Sequence, residues 1–196
     1  MVSGPSGTGK GAICARLAAQ TNVMLSVSMT TREPRENEVE GTSYYFVDKE
    51  RFRSILAEDG LFEHAEVYGE YYGTPKSHVL ASLEEGKDVI LEIEVKGAMQ
   101  IKESMPEAIL VFILPPSHDE LKRRIEGRGT ETPERIARRM ERVSMEIAQI
   151  DKYDYLVVND DLECAIGDMQ AIMRSEKLRV GIDAEEIINK YRANEN

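Results

Sequence analysis

Three apolar runs set the rhythm of the chain: "DVILEIE" (Asp88–Glu94), "AILVFIL" (Ala108–Leu114) and "YDYLVVN" (Tyr153–Asn159). Each is short and rich in β-branched residues, the pattern of strands buried on both faces in a parallel sheet. Between them the apolar period lengthens to that of helices, as in "GAICARLAAQ" (Gly11–Gln20) and "LECAIGDMQAIM" (Leu162–Met173). Ser117 with Glu120 three residues on predicts a capping box. Thr132 followed by Pro133 predicts an N-cap and first helical residue. Alternating strands and helices predict an α/β fold, a parallel-sheet core with helices on both faces.

Two segments break this rhythm. Residues 29–80 are rich in Gly, Tyr, Arg and Glu, with short strand patterns such as "SYYFV" and "LFEHAEV" and one helix, "KERFRSILAED". They predict a small mixed α/β insertion. Residues 121–150 open with a densely basic stretch containing Lys122, Arg123, Arg124, Arg128, Arg135, Arg138, Arg139 and Arg142. The core is then expected in residues 1–28, 81–120 and 151–196, with both segments as excursions from it.

Charge and composition narrow the function. Lys plus Arg number 25 against 36 Asp plus Glu, a net charge of −11 over 196 residues. Such a surface argues against nucleic-acid or anionic-membrane partners. No obligate protein partner is evident. Any phosphate site must therefore rest on local positive charge. The chain shows no signal peptide and no run of 18 apolar residues. A soluble cytoplasmic protein is expected. Cys14 and Cys164 match no metal or redox spacing and are expected to be buried small apolar residues in a reducing compartment.

The chemistry starts at "SGPSGTGKGAIC" (Ser3–Cys14). Gly4, Pro5, Ser6, Gly7, Thr8, Gly9 and Lys10 form the G-x-x-x-x-G-K pattern of a phosphate-binding loop. A glycine-rich turn opening a helix converges backbone N–H groups on a phosphate, with the helix dipole behind them. Lys10 then reaches the outer phosphates. The usual next residue, a Ser or Thr that ligates the metal, is replaced by Gly11, followed by Ala12. A Mg²⁺ ion held by phosphates and water tolerates that loss, with no direct side-chain ligand from the loop. Only Met1–Ser3 precede the loop, so either the strand there is short or the natural chain starts upstream.

The middle of the chain carries a resemblance. "SVSMTTREPRENEVEGTSYYFV" (Ser26–Val47), "LFEHAEVYGEYYGTP" (Leu61–Pro75), "ILEIEVKGA" (Ile90–Ala98), "LKRRIEGRGTETPERIARRM" (Leu121–Met140) and "VVNDDLECA" (Val157–Ala165) resemble, in order, the motifs of guanylate kinases. The resemblance implies a phosphate clamp for GMP made by Arg32, Arg35, Tyr44 and Tyr72; paired arginine forks suit such an anion. It implies that Ser28, Glu63, Thr74 and Glu94 contact the guanine, with Glu94 standing where many relatives carry Asp. Tyr45 and Tyr71 are expected to pack or sit at the rim. Glu92 lies in a Walker-B-like strand, where it either orients water on Mg²⁺ or satisfies a neighbouring donor. Residues 121–150 resemble the lid, with Arg128 and Arg139 closing on the transferring phosphoryl group and Arg124 and Arg135 as helpers. Arg138 and Arg142 are expected on a solvated face. Asn159, in the loop near the adenine, completes the ATP set with Gly4–Gly11.

The implied activity is phosphoryl transfer from ATP to GMP. Two other readings fit less of the sequence. A non-catalytic guanylate-kinase-like module would not need an intact Gly4, Gly9 and Lys10. A kinase for another phosphorylated substrate would not need the guanine set.

Overall fold

A computed structural model describes residues 1–67, 69–127, 133–181 and 184–193, without the side chains of 133–135, 186 and 193. The elements run in chain order as β1 (Val2–Ser3), α1 (Lys10–Gln20), β2 (Val23–Leu25), β3 (Met29–Thr30), β4 (Tyr45–Phe46), α2 (Lys49–Ala57), β5 (Leu61–Val67), β6 (Glu70–Pro75), α3 (Lys76–Glu84), β7 (Asp88–Ile90), α4 (Val95–Ser104), β8 (Val111–Leu114), α5 (His118–Glu126), α6 (Pro133–Ile147), β9 (Tyr155–Val158), α7 (Leu162–Glu176) and α8 (Ala184–Ala193).

The core is a parallel sheet. β1 pairs with β8 and β8 with β9, while β2 pairs with β7. Past β7 the chain continues beside β1: Val2 N–H donates to Leu91 O at 2.8 Å and Ile93 N–H to Val2 O at 3.1 Å. These bonds join the two groups of strands, so the predicted run Asp88–Glu94 is extended nearly throughout. The first strand is short, two residues long, and the loop follows it directly.

Alternation along the strands feeds two core layers. Val2, Ile90, Val111, Ile113 and Val157 pack with Ile13, Cys14 and Leu17 of α1 and Ala165, Ile166 and Met169 of α7. Leu91, Ile93 and Leu110 point to the other layer, against Val79 of α3 and Ala98 and Ile101 of α4. Helices therefore cover both faces, as the apolar runs imply. One expectation fails at the edge: β9 is the last strand of the order β1-β8-β9, and Leu156 and Val158 are exposed. An apolar run alone does not reveal whether a strand lies at the sheet edge.

The segment 29–80 builds its own four-stranded mixed sheet, order β4-β3-β6-β5. β5 and β6 are antiparallel and β3 pairs parallel with β4. Phe52 of α2 is buried beneath it with Met29 and Leu61. Tyr71 stacks on Phe52 at 5.4 Å and Tyr45 on His78 at 5.1 Å, so both tyrosines pack as expected. α5 and α6 form a further cluster through Leu121, Ile125 and Val143.

Two local expectations need correction. Ser117 accepts from Glu120 N–H at 3.1 Å, but the return arm of the capping box is missing. The Glu120 carboxylate is taken instead by Arg123 and Arg124, whose hydrogen bonds, and then their charge, hold its pKa down at about 2. Cys14 is buried, but Cys164 is exposed in the first turn of α7. Thr132 lies outside the described residues.

Candidate active site

The loop between β1 and α1 bends through Gly4 (φ +135°) and Gly9 (φ +88°), left-handed conformations that side chains strain. Space is tight as well. A Cβ on Gly4 would stand 2.4 Å from Ile113 O, and one on Gly9 2.3 Å from Asn159 Nδ2. Pro5 and Thr8 are buried and Ser6 is exposed. The Thr8 hydroxyl is spent within the loop, donating to Pro5 O at 3.0 Å. Asn159 is 6% exposed and donates to Thr8 O at 2.8 Å. It does not line the cleft; its service to the loop is as a brace, a role the sequence does not reveal.

Lys10 folds back over this loop, donating to Gly4 O at 2.6 Å and Pro5 O at 2.8 Å. Burial pushes its pKa down, opposed by the carboxylates of Glu92, Glu146 and Glu94. Glu92 is half-buried, and burial raises its pKa against the pull of Lys10. Gly11 faces it: a Cβ there would meet both Glu92 carboxylate oxygens at 3.5 Å.

The loop forms one wall of a cleft of about 1450 Å³. A single-ligand pocket usually measures roughly 300–1,000 Å³, so there is room for two nucleotides. Ser28, Arg35, Tyr44 and Glu94 line the cleft beside Gly4, Ser6, Gly7, Gly9, Lys10 and Gly11. Arg139 reaches in from α6, its Nη1 3.4 Å from Ser6 Oγ. Arg128 lies outside the described residues, as does the side chain of Arg135. Arg124 is held by Glu120 at 2.6 Å.

Two predicted clamp residues, Arg32 and Tyr72, and two predicted base contacts, Glu63 and Thr74, are not among the residues that line the cleft. The fork of Arg32 closes on Glu38, at 2.8 and 2.9 Å, and its Nε lies 3.3 Å from the Tyr72 hydroxyl. Glu38 also accepts from Arg35 N–H at 2.8 Å. Arg32 holds its carboxyl down at about 2. Glu38 was not singled out by sequence reasoning, although its place three residues after Arg35 in "RENE" was a signal. Glu63 would be expected to face solvent on an alternating strand, yet it is only 9% exposed. Thr74, 1% exposed, donates to its Oε1 at 2.7 Å. The β5–β6 register shifts between Leu61 and His64, around Glu63. Gly97 leaves space for the other oxygen; a Cβ there would stand 2.7 Å from Glu63 Oε2. Burial raises the Glu63 pKa, Thr74 partly offsets it, and Glu94 adds to it.

Arg138 and Arg142 are exposed, as the expectation of a solvated face has it, but that face borders the cleft. Both line the cleft. Arg142 donates from Nη2 to Glu94 Oε2 and from Nε to Glu146 Oε1, the latter at 2.8 Å.

A glycine-rich loop between a parallel strand and a helix, with its lysine at the cleft, defines a P-loop nucleotide-binding protein. The chain belongs to the guanylate kinase family, whose model, described as guanylate kinase, matches residues 1–176. It is 52% identical over 180 residues to the guanylate kinase of Clostridium tetani, covering 92% of this chain and 86% of that one. It is 49% identical to the guanylate kinase of Thermus thermophilus, covering 92% and 82%. The crystal structure of guanylate kinase from Anaplasma phagocytophilum superposes with a TM-score of 0.78 at 32% identity, covering 96% of this chain and 92% of that one. Among the described residues no helix is long and apolar enough to cross a membrane.

Proposed function

We infer that this chain catalyses ATP-dependent phosphorylation of GMP, giving ADP and GDP. One observation carries the reading beyond family membership: a single cleft brings the phosphate loop and Lys10 together with Ser28, Arg35, Tyr44 and Glu94. Donor and acceptor sites in one cavity suit in-line transfer, in which position and charge neutralisation supply most of the catalysis.

Each group then has a task. The N–H groups of the loop and α1 cradle the ATP phosphates, and Lys10 leaves the Gly4 and Pro5 carbonyls for the outer ones. Arg32, Arg35, Tyr44 and Tyr72 hold the GMP phosphate, which competes with Glu38 for the Arg32 fork. Glu63, fixed by Thr74, accepts from the guanine ring N–H and amino group; Ser28 and Glu94 complete the base contacts. Arg139, with Arg128, neutralises the moving phosphoryl group, and closure of residues 121–150 over the core excludes water as a competing acceptor.

Mg²⁺ fits the donor set. Glu92 offers a hard oxygen ligand beside Gly11, where the missing side chain leaves room for a water or a phosphate oxygen. When bound, the ion would supply charge neutralisation for the ATP phosphates.

A coupled assay of ADP release with GMP, AMP, UMP and CMP tests the reading. Turnover with GMP at least about 10³-fold above the others is expected. Equal rates with AMP or a pyrimidine nucleotide would overturn the substrate, and no release with any of them would overturn the activity.

A further inference from the structure

Glu94 is the N-cap of α4, but its side chain caps nothing in its own helix. Asp is among the good N-caps because its short side chain reaches back to the first-turn N–H groups; Glu is not. The extra methylene of Glu94 carries the carboxylate away from the helix and into the cleft, where its described side-chain partner is Arg142 of α6. Arg142 is itself tethered. Its Nε donates to Glu146 Oε1 at 2.8 Å, one turn along the same helix, and that glutamate is only 14% exposed. Of the remaining guanidinium nitrogens, Nη2 donates to Glu94 Oε2.

We propose that Arg142 is a positioning residue for guanine recognition: anchored by Glu146, it pins one oxygen of Glu94 and turns the other toward the base. Arg142 and Glu94 are each about half exposed, so the pair adds little stability. What it supplies is orientation of a long, otherwise free carboxylate, whose rotamer entropy would be lost on binding GMP. Because Arg142 sits on the lid helix and Glu94 on the core, the contact also makes the geometry of base reading depend on where α6 rests. The proposal rests on the reading of Glu94 as a base contact.

The test is GMP affinity by calorimetry without ATP, together with kcat, for Arg142→Ala, Arg142→Lys, Glu94→Ala and the double variant. Arg142→Ala should weaken GMP about threefold to fivefold, the range of a half-exposed charged pair, with kcat and the KM for ATP nearly unchanged. Arg142→Lys should recover part of the loss, since one ammonium cannot serve Glu146 and Glu94 as a fork does. The double variant should bind GMP no worse than Glu94→Ala alone, the signature of two residues acting as one. If Glu94→Ala weakens GMP while Arg142→Ala leaves it unchanged or tightens it, Arg142 does not position Glu94 and only the base contact survives. If Glu94→Ala has no effect on GMP, the base contact itself falls and this proposal with it. A fall in kcat at unchanged GMP affinity would make Arg142 a transfer residue and overturn positioning. Melting curves on each variant establish that the fold is retained.

Discussion

The carboxylate of Glu92 lies directly over Gly11, both of its oxygens 3.5 Å from where a Cβ would stand. The loop lacks the hydroxyl that usually follows its lysine, and an acidic side chain from the neighbouring strand faces the same spot. Glu92→Gln should therefore weaken divalent-ion binding to the ATP complex about tenfold, read as Mn²⁺ affinity by electron paramagnetic resonance. Unchanged Mn²⁺ affinity would leave Glu92 as a partner of Lys10 alone. Gly11→Ala should fold normally, because 3.5 Å is an ordinary contact and Gly11 has no positive φ.

Lys10 donates to two carbonyls of its own loop, which hold its charge beside the loop until, in the proposed function, it leaves them for the ATP phosphates. Lys10→Ala should lower kcat by roughly 10²–10³-fold or more, the scale of losing one preorganised donor to developing charge. GMP affinity measured without ATP should stay near the parent value. Near-parent turnover would remove Lys10 from the mechanism.

The space beside Glu63 depends on Gly97. A methyl group there would come within 2.7 Å of Glu63 Oε2 and 3.1 Å of its Cγ and Cδ. Gly97→Ala improves helix propensity by about 1 kcal/mol, while crowding a packed site costs about 1–3 kcal/mol. Stability should move little. Glu63 should be displaced, raising the KM for GMP on the order of tenfold with the KM for ATP unchanged. A variant with parental GMP kinetics would mean the carboxylate has room elsewhere.

How much of this is legible in the sequence depends on distance along the chain. Gly4–Gly11 are contiguous, so the loop announces itself. The apolar runs fix the sheet because their burial is local to each strand. Glu63 defeats pattern reading: alternation on β5 would set an isolated Glu toward water, and only the partner strand with Thr74, together with Gly97 of α4, makes a buried place for it. The resemblance to guanylate kinases supplies Glu63 where the physics of one strand does not. Arg142 is exposed, as charges on its own helix suggest, but its second partner, Glu94, lies 48 positions away, and neither pattern nor resemblance pairs them. Cys164 is misread for the opposite reason: a cysteine's usual burial is outweighed by its place in the exposed first turn of α7.

Ionisation of the site works against the empty fold. Burial raises the pKa of Glu63 and of Glu92 above the ordinary carboxylate value of 4.5. A carboxyl whose folded pKa is raised stabilises the native state below the unfolded value, and that contribution is lost as pH climbs through the folded one. These two groups should therefore withdraw stability from the ligand-free protein as pH rises above about 4.5, while carboxylates held down by partners, such as Glu38 and Glu120, act in the opposite sense. Glu63→Gln should melt higher than the parent at pH 7.5, with the difference shrinking toward pH 4. A constant difference across that range would mean that the charge of Glu63 costs the fold nothing.

In the proposed function the same charge reads the base. Guanine presents a ring N–H beside an amino group, two donors that one carboxylate accepts together. Adenine turns a lone pair toward that position. Thr74 donates to Glu63 Oε1 at 2.7 Å, which fixes the carboxylate before any ligand arrives and leaves Oε2 on the side of Gly97. Glu63→Gln keeps the shape and can keep the Thr74 bond through its carbonyl, but it places an N–H₂ where the second acceptor stood. GMP should lose about 1–3 kcal/mol of binding, the scale of one good bidentate base contact. AMP, which gains a donor facing its ring nitrogen, should lose less or improve. The ratio of kcat/KM for GMP to that for AMP should then fall by about 10²-fold, with the KM for ATP nearly unchanged. Together with a higher melting temperature at pH 7.5, this would show one buried carboxylate lowering the stability of the empty protein while selecting its substrate. If Glu63→Gln separates GMP from AMP as sharply as the parent, base selection lies elsewhere in the cleft, and Ser28 and Glu94 become the groups to vary.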